Sequence, residues 1–250
     1  MKRLLALLSL WLLTGAADPI LVPEVSQHEV EVRQGFTGTE LLLYGAILDP
    51  SGVRAGRNYD IVVILKGPTR SIVVREKTRL AGIWVNGASG EYRSAPGYYA
   101  VASSRPIDKI VDTRTAAIYE MGLSSLQLSP IGTIDPNKQR RFADGLVGLM
   151  AADGLYQQND GAVTISEQVL YQARIRLPSS VPVGQYTAET LAVSRGRVVA
   201  SATAHVNVSK RGFERGIAEF ADQLGLLYGL LAVGIAVGMG LAAGRIFARF

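Results

Sequence analysis

Chemistry in this 250-residue chain would have to come from few side chains. It holds two histidines, His28 and His205, far apart in sequence, and no cysteine. A thiol nucleophile, a disulfide framework, a Cys-ligated zinc and an iron–sulfur cluster are excluded on that ground, and two isolated histidines do not make a zinc site of the usual kind. His205 shares one face of a period-two segment with Ser201, Thr203 and Asn207, a polar and solvated face, and His28 precedes another alternating run. Asp49, Asp60, Asp135 and Asp160 fall beside or near Gly, Pro or Asn, where turn formation explains them better than calcium ligation. The run Gly87-Ala88-Ser89-Gly90 lacks the spacing of a Gly-x-Ser-x-Gly elbow. No glycine fingerprint for phosphate follows a strand pattern. The expectation is a non-enzymatic protein with no catalytic residues, no metal and no cofactor.

The densest basic run is Asn137-Lys138-Gln139-Arg140-Arg141, which reads as a solvated helix face, with contact to acidic lipid headgroups or an acidic partner as the alternative. The net charge is +5, lower by two once Lys2 and Arg3 are set aside, and the remaining cations are interspersed with acids. Such a pattern is not a nucleic-acid footprint. Aromatic residues concentrate in Arg79–Asn86 (RLAGIWVN) and in Gly97-Tyr98-Tyr99-Ala100-Val101; core packing is the expectation for both. The sequon Asn207-Val208-Ser209 matters only in a eukaryotic secretory route.

The elements that would position these groups are bracketed by two apolar ends. Met1-Lys2-Arg3 precedes an uncharged run from Leu4 to Leu13, and then Thr14-Gly15-Ala16-Ala17-Asp18, with Gly15 and Ala17 fitting a signal-peptidase site. A cleavable signal peptide over 1–17 is expected; an uncleaved anchor is the alternative, though the run is short of the ~20 apolar residues a spanning helix needs. At the other end, residues 224–243 read LGLLYGLLAVGIAVGMGLAA, without a charge. At about 1.5 Å per residue that stretch matches the hydrocarbon thickness of a bilayer, and it is apolar all round. Arg245 and Arg249 suit a cytoplasmic stop in the tail 244–250; Lys210, Arg211 and Arg215 stand on the other side, so the signal peptide fixes the orientation. Gly225 and Gly229, Gly234 and Gly238, and Gly240 and Gly244 are each four apart, and Ala232-Ala236-Gly240-Gly244 forms a small-residue ridge. Ridges of this kind let a second helix approach closely, so the bilayer and a helix partner are the expected surroundings. Residues 212–223 read as an amphipathic stem, with Phe213, Ile217, Phe220, Ala221 and Leu224 on one face, beginning near Phe213 and running on into the bilayer.

Residues 18–211 read as a β-rich domain outside the cytoplasm. Val30 and Val32 alternate with charged residues, and apolar runs follow at 41–44, 61–65 and 72–74, separated by Asp49-Pro50-Ser51-Gly52 and Lys66-Gly67-Pro68. Val169, Tyr171, Ala173, Ile175 and Leu177 alternate with Leu170, Gln172, Arg174 and Arg176; strands at 186–194 and 198–208 flank the turn Arg195-Gly196. The Pro-rich crossing before Gly184-Gln185-Tyr186 is similar to the tyrosine corner of immunoglobulin-like sandwiches. Between the β-rich stretches, at about 106–152, Ile107, Ile110, Val111, Ile118 and Met121 follow helical spacing. Phe142, Leu146, Leu149 and Met150 do so after an Asp135-Pro136 cap. The expected fold is mainly β, an immunoglobulin-like sandwich with a helical insertion plus the spanning helix; two small β subdomains bridged by helices are the alternative.

Five colinear segments carry a resemblance: GFTGTELLLYGAI from Gly35, GPTRSIVVREKTRLAGIWVN from Gly67, GYYAVASSRPI from Gly97, RIRLPSSVPVGQYTAE from Arg174, and the stretch from Lys210 to the C-terminal helix. Together they resemble the alphaproteobacterial putative transmembrane protein family, with Leu43-Tyr44 departing from the phenylalanine expected in the second place. The resemblance implies a bacterial inner-membrane protein with a periplasmic domain and a cytoplasmic C-terminus, and it carries over no catalytic residue. It also implies proximity to a sulfite-exporter-like permease, hence an accessory role. The expectation is an interaction subunit whose helix partner is a second copy or a permease-like protein. A periplasmic anion-binding domain is the alternative, and a hydrolase a distant third.

Overall fold

The computed structural model describes residues 19–32, 36–49, 59–132, 135–210 and 220–247. By internal contacts the chain divides into a β-rich unit, Met1–Val30 with Thr37–Val208, and a C-terminal unit, Glu31–Phe36 with Ser209–Phe250. The expected signal segment and Ala17 lie outside the described residues, as do Arg249 and most of the amphipathic stem.

The described residues form twelve strands: β1 (Ile20–Val25), β2 (Glu29–Val32), β3 (Gly38–Leu48), β4 (Asp60–Lys66), β5 (Thr69–Leu80), β6 (Ile83–Pro96), β7 (Tyr99–Ser103), β8 (Tyr156–Asp160), β9 (Val163–Ser166), β10 (Leu170–Pro178), β11 (Gly184–Ser194) and β12 (Arg197–Lys210). They form a four-stranded sheet in the order β1-β3-β10-β9, a six-stranded sheet in the order β2-β12-β11-β4-β7-β8, and a separate β5-β6 ribbon. The fold is mainly β, as expected. Every pairing with a given register is antiparallel except β7 with β8, whose connection carries the helices.

Period-two patterning decides which faces meet. In β3, Leu41, Leu43 and Ile47 are buried, and in β10 so are Tyr171, Ala173, Ile175 and Leu177, the alternation expected of a half-buried strand. β4 is different: all five residues from Ile61 to Leu65 are buried, because it lies between β11 and β7 and is covered on both faces. One face turns toward the four-stranded sheet, where the Tyr171 hydroxyl meets Thr190 Oγ1 at 3.4 Å. The other lies under the helices, where Lys66 pairs with Glu120.

Cysteine being absent, tyrosine hydroxyls stitch the elements together. Tyr98 donates to the Arg176 carbonyl (2.8 Å), Tyr99 to Glu120 (2.5 Å), Tyr156 to Pro96 (2.8 Å), Tyr92 to Gln139 (3.1 Å) and Tyr186 to Pro182 (2.6 Å). The last ring reaches back to the backbone four residues upstream. All five rings are buried, and Tyr99 meets Tyr156 edge-on with centroids 6.1 Å apart. Gly45 is held to glycine by close approach: a Cβ there would lie 2.3 Å from the Val22 carbonyl and 2.5 Å from the Tyr171 hydroxyl.

The helices between β7 and β8 are α1 (Ile107–Ile110), α2 (Thr113–Ile118) and α3 (Pro136–Ala152). The Ile107-to-Met121 pattern is two short helices rather than one, because the Asp112 side chain accepts from the Thr115 amide (2.8 Å) and caps a new start. Ile118 consequently points outward, as does Leu149 of α3. Asp135 caps α3 as expected, accepting from the Asn137 and Lys138 amides, with Pro136 in its first turn.

In the C-terminal unit a helical turn over 220–223 leads through a bend at Leu224 into α4 (Gly225–Phe247). Phe220 packs edge-on against Tyr228, centroids 6.2 Å apart. The stretch Gly225–Arg245 is long and apolar enough to cross a membrane, and no part of it is buried.

Candidate functional site

Several hollows in the β-rich unit are large enough for a small ligand, among them one of about 460 Å³ beside Thr37, Gly38, Glu40 and Arg176. A cleft of about 450 Å³ opens beside α1 and α2, with Ile107, Val111 and Met121 on its apolar side and Asp108, Asp112 and Asp160 on its polar side. Asp112 is spent on its helix cap, which holds its carboxyl below the usual range. Asp160 accepts from Ser103 and Gln158. Among the described residues no group of three His, Asp or Glu is placed to hold a metal ion. Another hollow, of about 250 Å³, lies over the outer face of the four-stranded sheet beside Leu42, Tyr44 and Leu170.

That outer face is the first notable surface. The residues of β1 and β3 that alternate with the core set point outward: Ile20, Val22, Tyr44 and Leu48 are exposed, and Leu170 of β10 joins them. The register makes them contiguous, with Ile20 opposite Leu48, and Val22 and Leu170 flanking Ala46 on either side. An outward sheet face is ordinarily polar; a contiguous apolar one marks an interaction surface.

The second is the β5-β6 ribbon. Its two-residue turn is Ala81-Gly82, with φ of +49° and +87°, the left-handed pair of a type I′ hairpin. Near the root the ribbon is held: Tyr92 and Gly90 are buried, Gly90 lies against the Phe142 ring, and Arg141 pairs with Glu76 at 2.9 Å. Toward the tip it is bare. Leu80, Ile83 and Trp84 are 69%, 69% and 65% exposed. This overturns the expectation that Arg79–Asn86 packs in the core, whereas Tyr98 to Val101 do so completely. The cause is local: beyond Tyr92 neither ribbon face meets another sheet, so apolar side chains there have nothing to pack on. Within the basic run, Arg141 serves the Glu76 pair and Arg140 reaches Asn137, while Lys138 stays exposed.

On α4, a Cβ added at Gly225, Gly229, Gly234, Gly238, Gly240 or Gly244 would meet no atom within 4 Å, so the small-residue positions, with Ala232 and Ala236, face open surroundings. Arg245 stands in the last turn. His205, Ser201, Thr203 and Asn207 are exposed on β12, as their alternation predicts.

Burial pushes the Tyr98, Tyr99, Tyr156 and Tyr186 hydroxyls well above their ordinary range. They are fixed donors, not acids at work. Arg105 donates to Asp60 and holds its carboxyl below the usual range.

A β-rich unit joined to a helix of membrane-spanning length and composition fits a membrane-associated protein. The comparison with family models gives the same class. The chain belongs to the family described as "Putative transmembrane protein (Alph_Pro_TM)", which matches residues 20–249. No curated protein matches the sequence.

Proposed function

We propose that this protein is a single-pass accessory subunit of a bacterial inner-membrane assembly, non-enzymatic, with its immunoglobulin-like β unit in the periplasm and its C-terminus in the cytoplasm. The observation that carries the reading is the contiguous apolar face formed by Ile20, Val22, Tyr44, Leu48 and Leu170 on a sheet whose other face already supplies the core. Leaving such a face to water costs on the order of 25 cal/mol per Å², which a partner would recover. The open glycine and alanine positions of α4 support the same reading inside the bilayer, where close helix approach is the main source of association energy. The signal-like amino-terminal segment supports export, and Arg245 fits a cytoplasmic stop. A second copy or a permease-like protein is the partner class. The alternative of an anion-binding domain draws no support from the cleft beside α1, whose three aspartates repel anions.

The test is purification of tagged protein from membranes in a mild detergent. An integral membrane protein is expected in constant ratio, lost with Val22→Glu and Leu48→Arg and weakened when Gly234, Gly238 and Gly240 become leucine. Recovery of a lone monomer, unchanged in those variants, would end the accessory reading.

A further inference from the structure

The β5-β6 tip has an apolar crown and a cationic collar. Leu80 pairs with Ile83 and Arg79 with Trp84, so the crown has apolar side chains on both ribbon faces. Behind it, Lys77 and Arg79 alternate along β5 and share one face, and Arg75 follows beyond an irregularity in the pairing; all three are exposed. On the other face Glu76 is taken by Arg141, and farther from the tip Glu91 stands opposite Val73. The first turns of α3, which lie against the ribbon, add the exposed Lys138 and Arg140. A tryptophan with aliphatic neighbours in front of a basic belt matches the interfacial layer of a bilayer, where indole sits at headgroup depth and cations meet anionic lipid.

The topology aims this tip. β4 ends at Lys66, opposite Thr187 of β11 on one side and Tyr99 of β7 on the other. The ribbon is inserted between Lys66 and Tyr99, so it springs from that end of the six-stranded sheet. β12 finishes at the same end, with Val206 and Val208 opposite Tyr186 and Gly184. From there the chain continues to α4. The twelve residues of β5 extend about 40 Å. The ribbon and the last strand thus leave the six-stranded sheet at the same end.

We propose that the β5-β6 tip dips into the interface of the membrane that α4 crosses, as a second anchor selective for anionic lipid. Trp84, Ile83 and Leu80 enter the headgroup region, and Arg75, Lys77 and Arg79 hold lipid phosphates. The inference rests on the proposal that the chain is membrane-anchored.

The test uses the full chain with Trp11→Phe, which leaves Trp84 as the one tryptophan, reconstituted into phosphatidylcholine vesicles with or without phosphatidylglycerol. Flotation reads the anchor; Trp84 emission, with brominated lipids and aqueous iodide as quenchers, reads the tip. The expected result is flotation in both compositions, with Trp84 blue-shifted, quenched by bromines near the headgroups and shielded from iodide, more strongly with phosphatidylglycerol. Each of Arg75→Gln, Lys77→Gln and Arg79→Gln should lower the ratio of inserted to withdrawn tip by about fivefold, and Ile83→Asp should abolish lipid quenching. Vesicles that float with Trp84 open to iodide would overturn the inference and leave the anchor standing. A Trp84 shielded from iodide yet untouched by brominated lipid would overturn it in favour of a second copy covering the tip. A chain that did not float would remove both.

Discussion

Arg79–Asn86 and Gly97–Val101 are much alike as strings, each apolar, glycine-containing and aromatic, and they meet opposite fates. Trp84 is 65% exposed at the end of a two-stranded ribbon; Tyr98 is fully buried, its hydroxyl bonded to a carbonyl of the facing sheet. What separates them is company. β7 has β4 on one side, β8 on the other and the α2 segment above it. Among the described residues the distal ribbon is paired with its own partner strand alone, and a two-stranded ribbon buries little by itself. Burial is decided by what the topology brings alongside, so apolar composition names candidates for the core without choosing among them.

The contrast is sharpest in stability. Tyr98→Ala removes a buried ring and a bonded hydroxyl and should cost about 3–5 kcal/mol in urea denaturation. Alkali should act through the same residues. Tyr98 and Tyr99 stay protonated in the fold, while their unfolded counterparts ionise near pH 10, so stability is intact below about pH 10. It should fall as the pH climbs toward the folded values, by about 1.4 kcal/mol per pH unit for each such tyrosine. A urea midpoint unchanged between pH 9 and pH 11 would break this account. Next comes Gly45→Ala, which drives a methyl into the Val22 carbonyl and the Tyr171 hydroxyl and should cost about 1–3 kcal/mol. Gly82→Ala has open space around it and should cost no more than the left-handed backbone demands, about 1–2 kcal/mol. Smallest is Trp84→Ala, expected to change thermal stability by less than about 0.5 kcal/mol despite the loss of an indole. A Trp84 variant as unstable as the Tyr98 one would erase the distinction between the two segments.

Much of the fold was readable where a local rule acts alone. The alternation from Val169 to Leu177, the Asp135-Pro136 helix start, the Arg195-Gly196 turn and the apolar helix from Leu224 each rest on the chain's own periodicity or capping, and all appear where expected. The Ala81-Gly82 turn was not readable, because alanine gives no turn signal and reaches φ +49° only because the strands on either side impose it. Without that turn the segment around Trp84 looks like a core strand. Nor could periodicity reveal the break at Asp112, since Ile107 to Met121 keep helical spacing across it. The outward apolar face of β1 and β3 was half visible: the strand at 41–44 reads as apolar throughout, and only the register shows that Tyr44 and Leu48 line up with Glu24 and Ile20 on the bare side.

The order of pairing imposes a timetable on the newly made chain. β3 waits for β10 and β4 for β11, partners more than a hundred residues downstream, and the β11-β12 hairpin is made last. The ribbon, whose strands are neighbours, can zip on its own within microseconds. The two sheets cannot close before residues near 208 have been synthesised, and the apolar helix is then the next segment to emerge. Closure of the two sheets therefore falls in the same interval as synthesis of the apolar helix.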